Sequence, residues 1–94
     1  NQLTLDARIT DKLLLRFTPA GIPVVQCTLE HRSEVFEMGL KRVVEVEVRC
    51  VSFGPLAQQM DAFSIGTSAR FSGFIGPSRN KKGLVFHLQD IHTV

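Results

Sequence analysis

Hydrophobic and polar residues alternate along most of this chain. From residue 3 to 17 the odd positions are apolar except for Asp11, and the even positions are mostly polar. A period of two indicates a strand with one buried face. The interruption at Asp11 predicts either one long half-buried strand or a strand that bends near Thr10-Asp11-Lys12, and a bent first strand is what a small closed barrel requires.

Four later segments repeat the alternation and predict four more strands. Their inward positions are every second residue of 25–29, 44–50, 69–75 and 84–88. Turn residues at Thr18–Pro23 separate the first two strands, and we expect a loop over Ser33–Gly39 before the third. Gly73 and Gly76 predict a bulge or a close backbone approach, and Ile91 predicts another bulge because it falls out of phase with strand five.

One segment follows a helical period instead. Leu56, Met60 and Phe63 recur at helical spacing, and Pro55 suits a first helical turn. We expect a helix of about two turns whose apolar stripe plugs a barrel. The order of elements is that of an all-β, five-stranded OB-fold barrel with one short helix between strands 3 and 4. A chain of this length supplies one core, so residues 1–94 are assigned to a single domain.

Composition adds a charge pattern to this fold. The hydrophobic fraction of 44% is typical of a globular protein, and the formal net charge is only +2. Residues 77–83 contain Arg79, Lys81 and Lys82 without any acid, whereas residues 30–47 mix bases with glutamates. A basic hairpin tip on a small barrel suits contact with nucleic-acid phosphates, although a solvated loop has the same composition.

Several classes of function are disfavoured by the residue types present. Cys27 and Cys50 fall on inward positions as small hydrophobes, and no Cys/His cluster has zinc spacing, so we expect no metal and no cofactor. The histidines are scattered and no serine sits in a nucleophile motif, so we expect no enzyme and no small-molecule substrate. Without a signal peptide or a transmembrane run, we expect a cytoplasmic protein that does not bind membranes.

Outward-facing arginines and phenylalanines are the candidates for binding. Four arginines share the outward register of their strands and could line one face, but pairing with nearby glutamates is the favoured reading for Arg49 and Arg70. Three phenylalanines could stack on bases, or could form a subunit contact at Phe53 and Phe74. With so few cations and rings, binding should be modest and strongly salt-sensitive. The candidate arginines are Arg16, Arg32, Arg49 and Arg70, and the candidate rings are Phe36, Phe53 and Phe74.

Collinear motifs along nearly the whole chain resemble one bacterial family. They are Asn1–Leu5, Pro19–Pro23, Leu29–Ser33, Ile65–Thr67, Gly73–Ile75, and Gly83 with His87. The most specific is Glu-His-Arg-Ser after a Pro-x-Gly-Ile-Pro turn. Together they resemble the primosomal replication protein N (PriB) family, relatives of the single-strand DNA-binding proteins. The segment Ser52–Ala57 resembles the strand-to-helix junction of those wider relatives.

The resemblance implies an OB-fold homodimer that acts in replication restart. Such proteins bind single-stranded DNA, stimulate the primosomal helicase and promote primosome assembly. By matching position, the family's DNA contacts correspond to Arg16, Arg32, Arg79 and Lys81, with Lys82 adjacent.

The aromatic contacts of the family do not carry over. Leu40 and Glu45 stand where the family pattern has rings, which leaves Phe36 as a candidate replacement. The loop Pro77–Gly83 is also shorter than the resemblance implies. Both departures agree with modest DNA affinity.

Two other functions remain open at this level. The chain could be a protein-interaction module with incidental DNA contact, which the acidic outer face of the third strand favours, or a general single-strand DNA-coating protein. Dimerisation is expected in each case, because the long first strand leaves an edge that must be covered or paired.

Overall fold

Six strands form one sheet that curls into a closed barrel in the computed structural model, which describes residues 1–93. The elements are β1 (Leu3–Lys12), β2 (Arg16–Phe17), β3 (Pro23–Glu37), β4 (Leu40–Phe53), α1 (Pro55–Ala62), β5 (Ser68–Pro77) and β6 (Leu84–Thr93). Neighbouring strands run in the order β1-β5-β6-β4-β3-β2, and β1 also pairs with β3. Five strands therefore close the barrel. This arrangement, with its short helix before β5, confirms the predicted OB fold.

The first strand bends where the sequence pattern predicted. Residues 3–8 pair with β5 and residues 8–12 pair with β3, and the register with β3 shifts between Ile9 and Asp11. The predicted continuation of the same buried face to residue 17 is wrong for Leu13 and Phe17, whereas Leu15 packs against the core, partly buried. β1 ends at Lys12, and Leu13 and Phe17 are 56% and 64% exposed. Their segment leads to β2, which lies at the margin of the sheet, where its side chains remain in solvent.

The core lies inside the barrel and is closed by the helix. Phe71, Phe86, Ile9 and Leu29 are fully buried, and Met60 of α1 packs among them. The ammonium of Lys12 donates to the carbonyl oxygens of Asp61, at 2.7 Å, and of Met60 and Phe63. Lys12 thus satisfies acceptors that the end of a helix leaves without partners. The predicted role of α1 as a plug is confirmed.

Both predicted irregularities are present in the β5–β6 pair. A Cβ atom built on Gly73 would lie 1.9 Å from the carbonyl oxygen of His87, so a side chain cannot fit there. The register passes from Ser72↔Asp90 to Gly73↔Leu88, which leaves Gln89 as an extra residue on β6. This bulge moves Ile91 onto the buried face.

The segment predicted as the Ser33–Gly39 loop is instead part of a long hairpin. β3 and β4 stay paired as far as Glu37↔Leu40, and the turn consists of Met38 and Gly39, whose φ angles are 51° and 75°. Two consecutive positive φ angles match the tight turn whose twist suits a hairpin. The charged residues that suggested a loop are solvated because this hairpin, the arm (residues 32–47), projects beyond the barrel.

The projection of the arm also changes what its inward face contacts. Val44 and Val46 were predicted to be buried, but they are 36% and 39% exposed because no barrel interior lies beneath them in the part of the chain that is described. Leu84, at the start of β6, is likewise exposed against prediction. The radius of gyration is 14.1 Å, compared with about 12 Å expected for a compact chain of this length.

Candidate nucleic-acid interface

A groove of about 630 Å³ runs across the outer surface of the barrel. Its floor comes from β3, β4 and β6, and its two sides come from the β1–β2 segment and the start of the β5–β6 loop (residues 78–83). Outward-facing residues such as Gln26, Thr28 and Val51 line the floor. The alternating pattern of the strands thus builds the core with one face and the groove with the other.

Three arginines converge on this groove from separate parts of the chain. Arg16 comes from β2, Arg49 from β4 and Arg79 from the β5–β6 loop. Arg49 reaches that loop, since a Cβ atom on Gly83 would lie 3.7 Å from its guanidinium nitrogen. Asp11 is the one acidic residue that lines the groove. The site therefore presents a positive surface to a ligand.

Ion pairing divides the basic residues of the protein into two groups. Within residues 1–93, ion pairs occupy Arg8, Arg32, Lys41, Arg42 and Arg70, and Lys12 binds the end of α1. Apart from Lys12, the basic side chains with no ion pair in the described residues are Arg16, Arg49, Arg79, Lys81 and Lys82. These lie in the groove or in the loop beside it.

The outcome differs for the two arginines that were expected to pair with acids. Arg70 does so, but with an aspartate and not with one of the predicted glutamates, as its guanidinium donates to both carboxylate oxygens of Asp6 at 2.8 and 3.1 Å. The same expectation was wrong for Arg49, which makes no ion pair within residues 1–93. Its side chain turns towards the groove and the β5–β6 loop, away from the glutamates of the arm.

The β5–β6 loop is a hydrogen-bonded turn whose basic side chains point into solvent. The amide of Ser78 donates to the carbonyl of Gly83 at 3.1 Å, and the amide of Lys81 donates to the carbonyl of Ser78 at 2.8 Å. The carboxamide oxygen of Asn80 accepts from the amide of Lys82 at 2.9 Å. These bonds hold the backbone, while Arg79, Lys81 and Lys82 are exposed.

Three aromatic rings, from three neighbouring strands, form a stacked row beside these basic side chains, which we call the ladder. Phe74 stacks on His87 with centroids 4.7 Å apart and planes within 5°. His87 faces Phe53 at 6.4 Å and 17°. Both separations suit offset stacking. Phe53 is 46% exposed and lines the groove, so it ends the ladder with a ring that a nucleobase can reach.

The arm carries the other two predicted site residues. Arg32 pairs with Glu45 at 3.2 Å, and Phe36 is 77% exposed near the tip. Neither lines the groove. By strand geometry Arg32 lies about 13 Å beyond Thr28 on the same outward face. Between them, Glu30 stands directly opposite Glu47, which places two carboxylates on the path from the groove to Arg32.

Sequence reasoning assigned Arg49 to surface pairing and gave no role to His87. Both occupy outward positions of their strands, and that was the available signal. The contact between β4 and β6, through Cys50↔Phe86 and Val51↔His87, is parallel and distant in sequence. Only this contact brings the two residues into one groove.

Two further findings concern the described residues. No helix among them is long and apolar enough to cross a membrane. Residues 1–93 contain no group of three or more side chains placed to hold a metal ion.

Comparison with known proteins gives consistent matches along the whole chain. Residues 1–90 match a family model described as "another single-strand binding protein family". The chain is 37% identical over 95 residues to replication restart protein PriB of Bordetella pertussis, covering 100% of this chain and 89% of that one. The PriB of Proteus mirabilis is 35% identical, with 100% and 93% covered.

Solved structures agree with these matches. The structure of PriB from Ralstonia solanacearum superposes with a TM-score of 0.90 at 32% identity, over 99% of this chain and 96% of that one. The single-stranded DNA-binding protein from Thermus aquaticus gives 0.79 at 20% identity, over 100% of this chain and 50% of that one, which shows a shared fold. From its sequence, its barrel and these full-length relatives, the chain belongs to the PriB family of single-strand binding proteins.

Proposed function

We propose that this protein binds single-stranded DNA in the groove and acts, without catalysis, as an accessory in replication restart in the cytoplasm. One observation carries the proposal. Apart from Lys12, which binds the end of α1, the basic side chains that have no ion pair within residues 1–93 lie in one groove or in the loop beside it, near an exposed ring. The names of the relatives, replication restart proteins within a single-strand binding family, support the same function.

Each side chain of the groove has a distinct proposed role. Phosphates are contacted by Arg16, Arg79, Lys81 and Lys82. Arg49, in the floor of the groove, contacts them as well. Phe53 supplies the stacking surface. A base stacked on an aromatic ring is worth about 1–3 kcal/mol, and each phosphate contact adds about 0.7 to the slope of affinity against salt. With one ring and a handful of cations, affinity is modest and strongly salt-sensitive.

Arg32 and Phe36 are proposed as secondary contacts along the arm. They share the outward face of β3 with the groove, so a strand that leaves the groove in that direction meets them. Arg32 must exchange Glu45 for a phosphate, which costs little because exposed ion pairs contribute about 0–1 kcal/mol. The strand must also pass Glu30 and Glu47, so these contacts are weaker than those in the groove.

A second copy of the chain and the primosomal helicase are the proposed protein partners. Leu3–Ala7 of β1 pairs with β5 on one side, and β3 begins to pair with β1 only at Arg8. The free edge of that segment is suited to pairing with the same segment of a second copy about a two-fold axis. Stimulation of the helicase by this dimer is part of the proposal.

The decisive experiment measures affinity for a fluorescent oligonucleotide across a salt series. Changing Arg79, Lys81 and Lys82 together to Ala should lower both affinity and salt slope, because three phosphate contacts are lost. A change of about 2 in the slope is expected. Unchanged affinity and slope would show that the loop is not part of the DNA site.

The arm supports a second function, that of a protein-interaction module with incidental DNA contact. Its lysine and arginine side chains all form ion pairs with glutamates of the arm itself. At its tip, Phe36, Met38 and Leu40 are 70–98% exposed. Such a surface suits a protein better than DNA. Loop variants that lose DNA but retain full stimulation of the helicase would favour this second function.

A further inference from the structure

A pair of buried thiols lies beneath the groove and has no role in the proposed DNA contacts. Cys27 of β3 stands directly opposite Cys50 of β4, so both side chains point to the same face of the sheet. Interaction with the Cys50 side chain lowers the pKa of the Cys27 thiol below its ordinary value. They are 6% and 2% exposed, and both contribute to the lining of the groove.

We propose that Cys27 and Cys50 are a modification site, a thiol pair that a peroxide converts reversibly into a cross-strand disulfide. Directly opposite residues of antiparallel strands have Cα atoms about 4.5–5.5 Å apart. Disulfides span about 4.4–6.8 Å between Cα atoms. The strand register thus places both cysteines within bonding range without any change of fold.

The chemistry needs only the two thiols and one peroxide molecule. The Cys27 sulfur attacks one peroxide oxygen, the O–O bond breaks, and Cys27 becomes a sulfenic acid as one water leaves. The Cys50 sulfur then attacks the Cys27 sulfur, the S–O bond breaks, and a second water leaves. Two thiols are oxidised and the peroxide is reduced to two waters. Cys27 is the attacking thiol because the hydrogen bond from Cys50 lowers the pKa of Cys27.

Reversibility follows from the spacing of the side chains. Opposite Cβ atoms in a sheet lie about 4.5–5.5 Å apart, whereas a disulfide requires about 3.5–4.5 Å. Forming the bond draws the two strands together and stores strain. Strained disulfides are more readily reduced and include the labile, regulatory ones. The bond would also tighten the strand pair next to Thr28↔Arg49, in the floor of the groove.

The test treats the reduced, folded protein with hydrogen peroxide, alkylates the remaining thiols and digests the product with trypsin without reduction. Cleavage after Arg16, Arg32, Arg49 and Arg70 releases peptides 17–32 and 50–70, each with one cysteine. Mass spectrometry should detect these two peptides linked, with the mass of two hydrogen atoms lost. Dithiothreitol should return both peptides to their free masses. A link that resists dithiothreitol would contradict reversibility.

Two controls separate this geometry from ordinary thiol oxidation. The Cys50→Ala variant should retain oxygen on Cys27 and form no link within the chain. The wild-type chain unfolded in guanidinium should form the link at least about ten-fold more slowly than the folded chain, and this comparison holds even if the variant fails to fold. Equal rates in the folded and unfolded chain, or no link in the folded chain, would overturn the proposal.

Discussion

The groove and the arm share one outward sheet face and differ in what their basic side chains already bind. In the groove and its adjoining loop, Arg16, Arg49, Arg79, Lys81 and Lys82 make no ion pair within residues 1–93. On the arm, Arg32, Lys41 and Arg42 each face a glutamate. The number of cations is thus a poor guide to where a polyanion binds. The existing partners of each cation are a better one.

The free-energy cost of freeing one cation of the arm is small, but the repulsion of DNA by all the glutamates of the arm is larger. An exposed ion pair contributes about 0–1 kcal/mol to stability, so a single arm cation can be recruited by phosphate at little cost. The glutamates remain on the arm after such an exchange, however, and repel the incoming strand. In the groove the corresponding repulsion comes from Asp11 alone among the lining residues.

The largest expected effect comes from removing three charges from one region or the other. Changing Arg16, Arg49 and Arg79 to Ala should weaken oligonucleotide binding by about 100-fold at low salt, at about 1 kcal/mol for each contact. The matched control changes Arg32, Lys41 and Arg42 to Ala, which alters the net charge equally. We expect less than about a five-fold loss there, measured by fluorescence anisotropy. Equal losses would mean that net charge alone controls binding.

The next prediction compares one ring from each region. Phe53→Leu should weaken binding by about ten-fold with an unchanged salt slope, because stacking is lost and no phosphate contact is. Phe36→Leu removes a ring from the arm that is more exposed than Phe53, and it should cost less. A loss at Phe36 as large as that at Phe53 would show that the bound strand runs along the arm. Thermal unfolding of both variants checks that the fold is retained.

A smaller effect should follow from neutralising the acid of the arm that lies next to the groove. Glu47 lies about 7 Å from Arg49 on the same strand face. In water, the repulsion between the Glu47 carboxylate and a phosphate bound at Arg49 is worth about 0.6 kcal/mol at that distance. Glu47→Gln should therefore strengthen binding about three-fold at low salt. The gain should vanish at high salt because the charge is screened. Glu34→Gln, farther out on the arm, is the control and should have no effect.

The smallest effect concerns Arg70, whose guanidinium is already paired with Asp6 and stabilises the fold. The hydrogen bonds from Arg70 lower the pKa of Asp6 below its ordinary value of 3.8. The folded state therefore binds the Asp6 proton less readily than the unfolded state, and this stabilisation is present above about pH 4 and lost as the pH falls further. Arg70→Met should make urea unfolding less dependent on pH below about pH 4. It should leave DNA affinity at neutral pH unchanged, and a clear loss of affinity would place Arg70 in the DNA site.

Alternation of apolar and polar residues was enough to determine the barrel. The bend near Thr10, the bulge before Ile91 and the small helix with Met60 inside were all predicted, because each depends on the period of a short segment. Burial of one strand face requires an apolar residue at every second position, so it can be recognised from a short segment of the sequence.

The arm and the groove were decided by tertiary structure. Whether Val44 and Val46 are buried depends on where the barrel ends beneath their strand, and no local pattern contains that information. Whether Arg49 pairs with a glutamate or faces a ligand depends on its position beside the β5–β6 loop. That position arises from a parallel contact between β4 and β6, segments more than thirty residues apart. Charge is read from the sequence, but the partner of each charge is set by folding.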